Sequence, residues 1–250
     1  MQNMLLVGLS RQMALSRELD VVANNIANIN TTGYKSDGSL FEEFLGASAG
    51  GGLPGNRVSL VQDRGTWHDM SSGPIQKTGN PLDVAIDGEA FLVVKTKDGP
   101  RYTRNGALQI NGNGDLVNSD GDQVLGDNGP IQFQPTDHQI QISTDGTISV
   151  REGTQTVDSV RGTLKLVRLD NPQRLQKDGS GTFAAGDAEV KPGTTSRVIQ
   201  GAIEKSNVRG VVEMSRMIEI TRSYTQIASI LQQQHDLGET SINKLADVPN

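Results

Sequence analysis

Leu15, Leu19, Val22, Ile26 and Ile29 recur at spacings of four, three, four and three residues, and Met217, Ile220, Tyr224, Ile227 and Leu231 repeat the alternation near the other end. Such spacing holds apolar side chains on one stripe of an α-helix, facing a partner helix. It predicts a first helix over about 4–29, with Leu6, Leu9 and Met13 widening its stripe. A second is expected after Ser206-Asn207, whose side-chain oxygens suit a helix start, through about Leu245. At 1.5 Å per residue these would span ~39 Å and ~58 Å, with Gly238 a possible break in the second. The first is expected to stop at Asn28-Ile-Asn-Thr-Thr-Gly33, where Asn and Thr compete for backbone hydrogen bonds and Gly33 tolerates positive φ. Neither stripe meets a matching apolar face in the intervening sequence. The economical arrangement packs the two terminal helices as a coiled-coil-like pair and turns leftover apolar surface toward neighbouring chains.

Between these ends the chain changes character. Of 29 glycines, 24 fall in residues 36–200. Period-two alternation appears at Leu82, Val84 and Ile86, at Ile131 and Phe133, at Ile140 and Ile142, at Ile148 and Val150, and at Leu164 and Leu166. Asx-Gly pairs punctuate these runs at Asp87, Asp98, Asn105, Asn111, Asn113, Asp120, Asn128 and Asp145, the composition of tight type I′ hairpin turns. A small sandwich or barrel of short antiparallel strands is expected over 80–200. Residues 36–79 read as an extended connector, with a helical turn or two at Ser39-Leu-Phe-Glu-Glu-Phe-Leu45 and a flexible run at Gly50-Gly-Gly52. The fold class is therefore α+β: an axial helix over 1–35, a connector over 36–79, a β domain over 80–200 and a second axial helix over 201–250.

Charge follows the same division. The chain carries 23 Lys plus Arg against 29 Asp plus Glu, a net charge of −6 that lies entirely in the middle, because both ends balance. No positive field gathers nucleic acid, and near-neutral helices pack on copies of themselves without mutual repulsion. Cysteine is absent, which excludes disulfides and thiolate metal sites. No apolar run reaches the ~18–20 residues of a membrane span, so no membrane insertion is expected. The start lacks the basic segment and cleavage site of a secretory leader.

Motifs that carry chemistry fare poorly. Gly46-Ala-Ser-Ala-Gly50 fits the hydrolase elbow pattern around Ser48, but no strand precedes it, and His68, His138 and His235 offer no paired base. Asn111-Gly-Asn-Gly-Asp115 and Asp120-Gly-Asp122 have the oxygens of a calcium loop without its spacing, and turn chemistry explains them more simply. Gly112-Asn-Gly114 lacks the third glycine of a dinucleotide fingerprint. Neither enzyme activity nor a cofactor is expected.

Three segments in order carry a specific likeness. Leu19-Asp-Val-Val-Ala-Asn-Asn-Ile-Ala-Asn28, running on to Asn30-Thr-Thr-Gly-Tyr-Lys35, resembles the amino-terminal signature of the bacterial flagellar rod and hook axial proteins. Thr78-Gly-Asn-Pro-Leu-Asp-Val-Ala-Ile-Asp-Gly88 with Tyr102-Thr-Arg104 is similar to that family's central β signature. Glu204-Lys-Ser-Asn-Val208, Glu213-Met214, Met217-Ile218 and Arg222-Ser-Tyr224 resemble its carboxy-terminal helix. Two segments depart from the pattern: Gly88-Glu-Ala-Phe-Leu92, where paired phenylalanines are usual, and Tyr224-Thr-Gln-Ile, where Tyr-Glu-x-Asn is common. The compact length and Ser39-Leu-Phe-Glu-Glu43 resemble proximal-rod members more than distal-rod ones, the latter remaining the alternative beside a remoter secreted β-rich binding module.

The resemblance implies a non-enzymatic subunit that stacks helically into the flagellar drive shaft across the periplasm and leaves the cell uncleaved through the flagellar type III export apparatus. The implied partners are copies of itself, other rod proteins and that apparatus. The assembly positions are Leu15, Leu19, Val22, Asn25, Ile26, Met217, Ile220, Tyr224, Ile227 and Leu231, with Gly33 at the helix exit.

Overall fold

A computed structural model describes residues 2–47, 57–153, 157–170, 172–179, 181–186 and 188–246. Ser48 and the Gly50–Gly52 run lie outside the described residues. The chain is α+β and divides into two compact units, one built from its two ends and residues 37–67, the other from residues 28–36 and 68–208.

In the first unit, helix α1 (Gln2–Ala27) packs against helix α2 (Gly210–Ala246). A close approach sets their contact: a Cβ on Gly8 would stand 2.6 Å from Leu231 Cδ2, so the hydrogen there admits the leucine. Arg216 clamps Glu18 through two N–H groups at 2.7 and 3.0 Å. Gly238 does not break α2; one glycine costs about 1 kcal/mol, which a helix supported on both sides of it absorbs. The helix starts later than Ser206-Asn207, because those side chains are engaged elsewhere. Ser206 Oγ accepts from Val208 N–H, and Asn207 Oδ1 accepts from Ser36 N–H at 2.8 Å. The Arg209 carbonyl accepts the first turn's bonds instead, and Glu213 places a negative charge at the helix's positive end.

Residues 36–79 hold more order than a connector. Ser39–Leu45 is strand, within β1 (Asp37–Ala47), which pairs with β2 (Arg57–His68) in a two-stranded sheet. Pairing to β2 and packing on α1 override the local preference for a helical turn. Gly38 lies where a Cβ would stand 2.4 Å from Trp67 Nε1, so the indole lies across bare backbone.

The second unit is antiparallel β. Its largest sheet runs in spatial order through strands 176–178, 182–184, 99–103, 91–96, 123–126, 116–117 and 109–110, with 166–169 and 190–192 branching from 91–96. Strand 91–96 is the pivot, because Phe91-Leu-Val-Val94 is a continuous apolar run buried on both faces. Leu92 and Val94 join Val84, Ile86, Leu116, Val124, Ile131, Ile148 and Leu164 in one core. Phe91 and Val93 join Tyr102, Val167, Leu169, Leu175 and Phe183 in another. Strands 137–142, 147–152 and 158–163 form a separate sheet, whose side chains Ile142, Ile148 and Val150 enter the first core. Strand 84–87 pairs with 197–200, and 75–77 with 202–204, so both ends of the central sequence close onto this unit.

The Asx-Gly turns differ from the type I′ expectation. Six of the eight glycines (88, 99, 114, 121, 129 and 146) have positive φ, but no Asx beside them does, the sole described non-glycine exception being Gln139. Asn111–Gly114 and Asn118–Gly121 are turns whose glycine comes fourth, as type I geometry favours. Asn111 Oδ1 accepts from Asn113 and Asp115 N–H, and Asn118 Oδ1 from Asp120 and Asp122 N–H. The Asn111 oxygen suggestive of a calcium loop is thus committed to the backbone of its own turn, and the Asp115 carboxylate accepts from Asn111 Nδ2 and Gln132 Nε2.

Candidate functional site

Each of the three signature segments sends one charged side chain to a single buried point in the β unit. Lys35, just past the exit turn of α1, donates from Nζ to Glu204 Oε1 at 2.6 Å and to the Ser71 carbonyl at 2.6 Å. Gly73 N–H donates to the same carboxylate oxygen at 2.9 Å. Arg104 approaches from strand 99–103: its Nε stands 3.7 Å from Glu204 Oε2, an ion pair beyond hydrogen-bond reach, and neither atom has a hydrogen-bond partner among the described residues. Its other nitrogens reach the carbonyls of Ile86 at 3.4 Å and Gly88 at 2.5 Å, and its guanidinium sits 5.3 Å from the Phe91 ring centre. Lys35, Arg104 and Glu204 are all buried.

Two buried cations face one buried carboxylate. Burial lowers the pKa of Lys35, against the attraction of Glu204, and lowers that of Arg104 for the same reason and against the same attraction. Removing one partner from such a cluster strands the others, which makes the cluster costly to disturb even where its net stabilisation is small. Each charged side chain is engaged with another member or with the backbone, Arg104 Nε and Glu204 Oε2 meeting only as an ion pair at 3.7 Å. The arrangement is a clamp, with no nucleophile set beside a base.

The clamp joins the two points where the chain enters and leaves this unit. Gly33 N–H donates to the Glu204 carbonyl at 2.8 Å, and Asn207 N–H to the Tyr34 carbonyl at 3.4 Å. Lys177 Nζ lies 3.6 Å above the Tyr34 ring. Gly33 has φ +70°, and a Cβ there would stand 2.4 Å from Arg104 C and Asn105 N. The exit turn therefore needs glycine twice over, for its left-handed backbone and for the proximity of strand 99–103's end.

The helical positions singled out from spacing divide by burial. Val22, Asn25 and Ile220 are buried within the chain, while Leu15, Leu19, Ile26, Met217, Tyr224, Ile227 and Leu231 are half-buried. Asn25 is a tie to β1: its Nδ2 donates to the Asp37 carbonyl at 2.8 Å and its Oδ1 accepts from Asp37 N–H at 2.9 Å. A second apolar set remains in the open: Leu5, Leu6, Leu9 and Met13 on α1, and Val211, Met214, Ile218 and Leu237 on α2, with Met13 66% exposed. Spacing at three and four picked out the inner stripe and left most of this outer one unassigned. No helix among the described residues is long and apolar enough to cross a membrane.

Comparison with known proteins covers the same segments. Residues 5–35 match the family described as flagella basal body rod protein, 85–150 the flagellar hook protein FlgE/F/G D1 domain, and 199–245 the flagellar basal body rod FlgEFG protein C-terminal region. The chain is 38% identical to flagellar basal-body rod protein FlgF of Caulobacter vibrioides, across 99% of this chain and all of that protein. It is 34% identical to the FlgF protein of Mesorhizobium japonicum over 98% of each. With flagellar basal-body rod protein FlgG of Bacillus subtilis it shares 32% identity over 94% of this chain and 96% of the other.

Proposed function

Since this chain belongs to the flagellar basal-body rod protein family, a structural and non-enzymatic family, we propose that it joins the rod through the outer apolar face of its two helices, with the inner stripe reserved for holding those helices to each other. The observation that carries this reading is the pair of rows at Leu5, Leu6, Leu9 and Met13 and at Val211, Met214 and Ile218, exposed beside an already formed helix pair. Large apolar side chains kept in water on two neighbouring helices mark a surface awaiting burial. Leu15, Leu19, Ile26, Met217, Tyr224, Ile227 and Leu231 are half-buried, so they border both surfaces and extend the contact to a neighbouring subunit, while Val22, Asn25 and Ile220 support it from within. Coil-like seams of this kind stack copies head to tail into an open helix, since a heterologous contact that does not close on itself propagates.

The full-length likeness to FlgF proteins supports a place in the proximal rod, with neighbours that are copies of this chain and other rod components. The reading extends to a periplasmic address reached through the flagellar export apparatus without removal of a leader. Close packing of interlocked side chains then resists twisting and passes torque along the shaft. Cryo-electron microscopy of basal bodies from cells carrying the chain is expected to place α1 and α2 in the inner layer of the rod. Deleting the gene is expected to abolish swimming and truncate the shaft; a deleted strain that swims and builds complete rods overturns the reading.

A further inference from the structure

The β unit carries a groove that its own core does not fill. It measures about 550 Å3, lies along strands 91–96 and 99–103, and has a floor of Val93, Tyr102, Leu125, Val167 and Val190. Lys95, Lys97 and Lys165 stand on its rim, no carboxylate lines it, and none of the three forms an ion pair among the described residues. A basic rim over an apolar floor, on a chain whose net charge is −6, is a local inversion of the molecule's field. Its complement is an extended segment that alternates large apolar side chains with carboxylates.

The chain presents such a segment on β1. Leu40, Glu42 and Phe44 follow one another on one face of the strand by its period of two. Leu40 is 53% and Phe44 56% exposed, and the Glu42 carboxylate between them has a single exposed pairing, to Arg64 at 3.3 Å. Two apolar knobs flanking an acid match an apolar floor flanked by ammonium groups. Surface pairs of the Glu42–Arg64 kind contribute little and exchange readily for a better-desolvated partner.

We propose that the lysine-rimmed groove of one copy receives the Leu40–Phe44 face of β1 from a second copy, a contact additional to the helix seams. The inference rests on the assembly reading above and names a second pair of surfaces for it. Knob and socket are different patches, so the contact is heterologous and can repeat from copy to copy. Exposure sets its register: on the other face of the strand Phe41 is half-buried, so Leu40, Glu42 and Phe44 are the side chains a second copy can reach.

The test uses full-length chains in swimming cells. Benzoylphenylalanine placed at Val190 is expected, on illumination, to attach to residues 40–44 of a second copy. Attachment to another protein, or none in cells that still swim, overturns the proposal and leaves the family reading standing; normal swimming without the gene overturns the family reading itself. As an independent measure, Lys95→Glu/Lys97→Glu/Lys165→Glu should lower incorporation into rods at least tenfold, with restoration by Glu42→Lys in the same chain. The triple variant must first unfold in dilute solution like the parent; one that unfolds normally and assembles normally refutes the groove.

Discussion

Lys35 Nζ and Glu204 Oε1 are 2.6 Å apart with both side chains 1% exposed, which makes this the most deeply buried ion pair among the described residues. Lys35→Met leaves Glu204 to Arg104 and Gly73 alone, and Glu204→Gln leaves two cations facing each other. Each is expected to cost about 3–5 kcal/mol in denaturant unfolding. Lys35→Met/Glu204→Gln should cost less than the sum of the single changes, because only Arg104 then keeps an unmatched charge; simple additivity would show that the pair is not coupled.

Gly33→Ala tests the exit turn. The left-handed backbone alone costs an alanine roughly 1–2 kcal/mol, and its Cβ would meet the backbone of Arg104 and Asn105 as well. A loss above about 2 kcal/mol is expected by thermal unfolding. A melting temperature equal to the parent's would mean that strand 99–103 yields easily at its end.

Asn25→Ala removes both hydrogen bonds to the Asp37 backbone. The expected cost is about 1–3 kcal/mol, and amide exchange at Asp37 should rise more than that of the β unit's core strands. Equal acceleration everywhere would point to global unfolding instead.

Leu9→Ser/Met13→Ser separates folding from assembly. Both side chains are exposed, so unfolding of dilute protein should shift by no more than about 0.5 kcal/mol. Swimming should nevertheless be lost. A variant that swims with no loss of rod length argues that this row never becomes buried.

Acid should loosen the three-stranded sheet. Arg161 donates to both oxygens of Asp137, at 2.6 and 2.7 Å, and these hydrogen bonds hold the Asp137 carboxyl below its ordinary pKa. A depressed folded-state value means that the stabilisation is fully present above the unfolded pKa of about 3.9 and drains away as pH falls through the lower folded one. Asp137→Asn should therefore be less stable than the parent at neutral pH, with a shallower decline below about pH 4. Parallel pH profiles for the two chains would contradict this.

The helices were legible from spacing because a repeat of three and four is a property of one continuous segment. The outer apolar rows were harder to read: Val211, Met214 and Ile218 belong to the same helix as the inner stripe, and only the position of α1 decides which side of α2 is covered. Strand 91–96 escaped period-two reading because both of its faces are buried, which leaves a continuous apolar run and no alternation. The turn at Ser39–Leu45 failed for a different reason, since the partner strand and Asn25 that make it extended lie outside any local window. Lys35, Arg104 and Glu204 were each visible inside a signature segment, and nothing local joins them. A charged residue within a segment that otherwise specifies backbone geometry was the one available signal.

The 169 residues that separate Lys35 from Glu204 impose an order of events on any copy delivered amino end first. The lysine arrives early and must wait, solvated, until about two-thirds of the polypeptide has followed it. Only then does the buried charge cluster close and the loop after the first helix lock. A copy delivered in that order cannot close this cluster until residue 204 is present, so the same contact that stiffens the finished part also marks the near-completion of its chain.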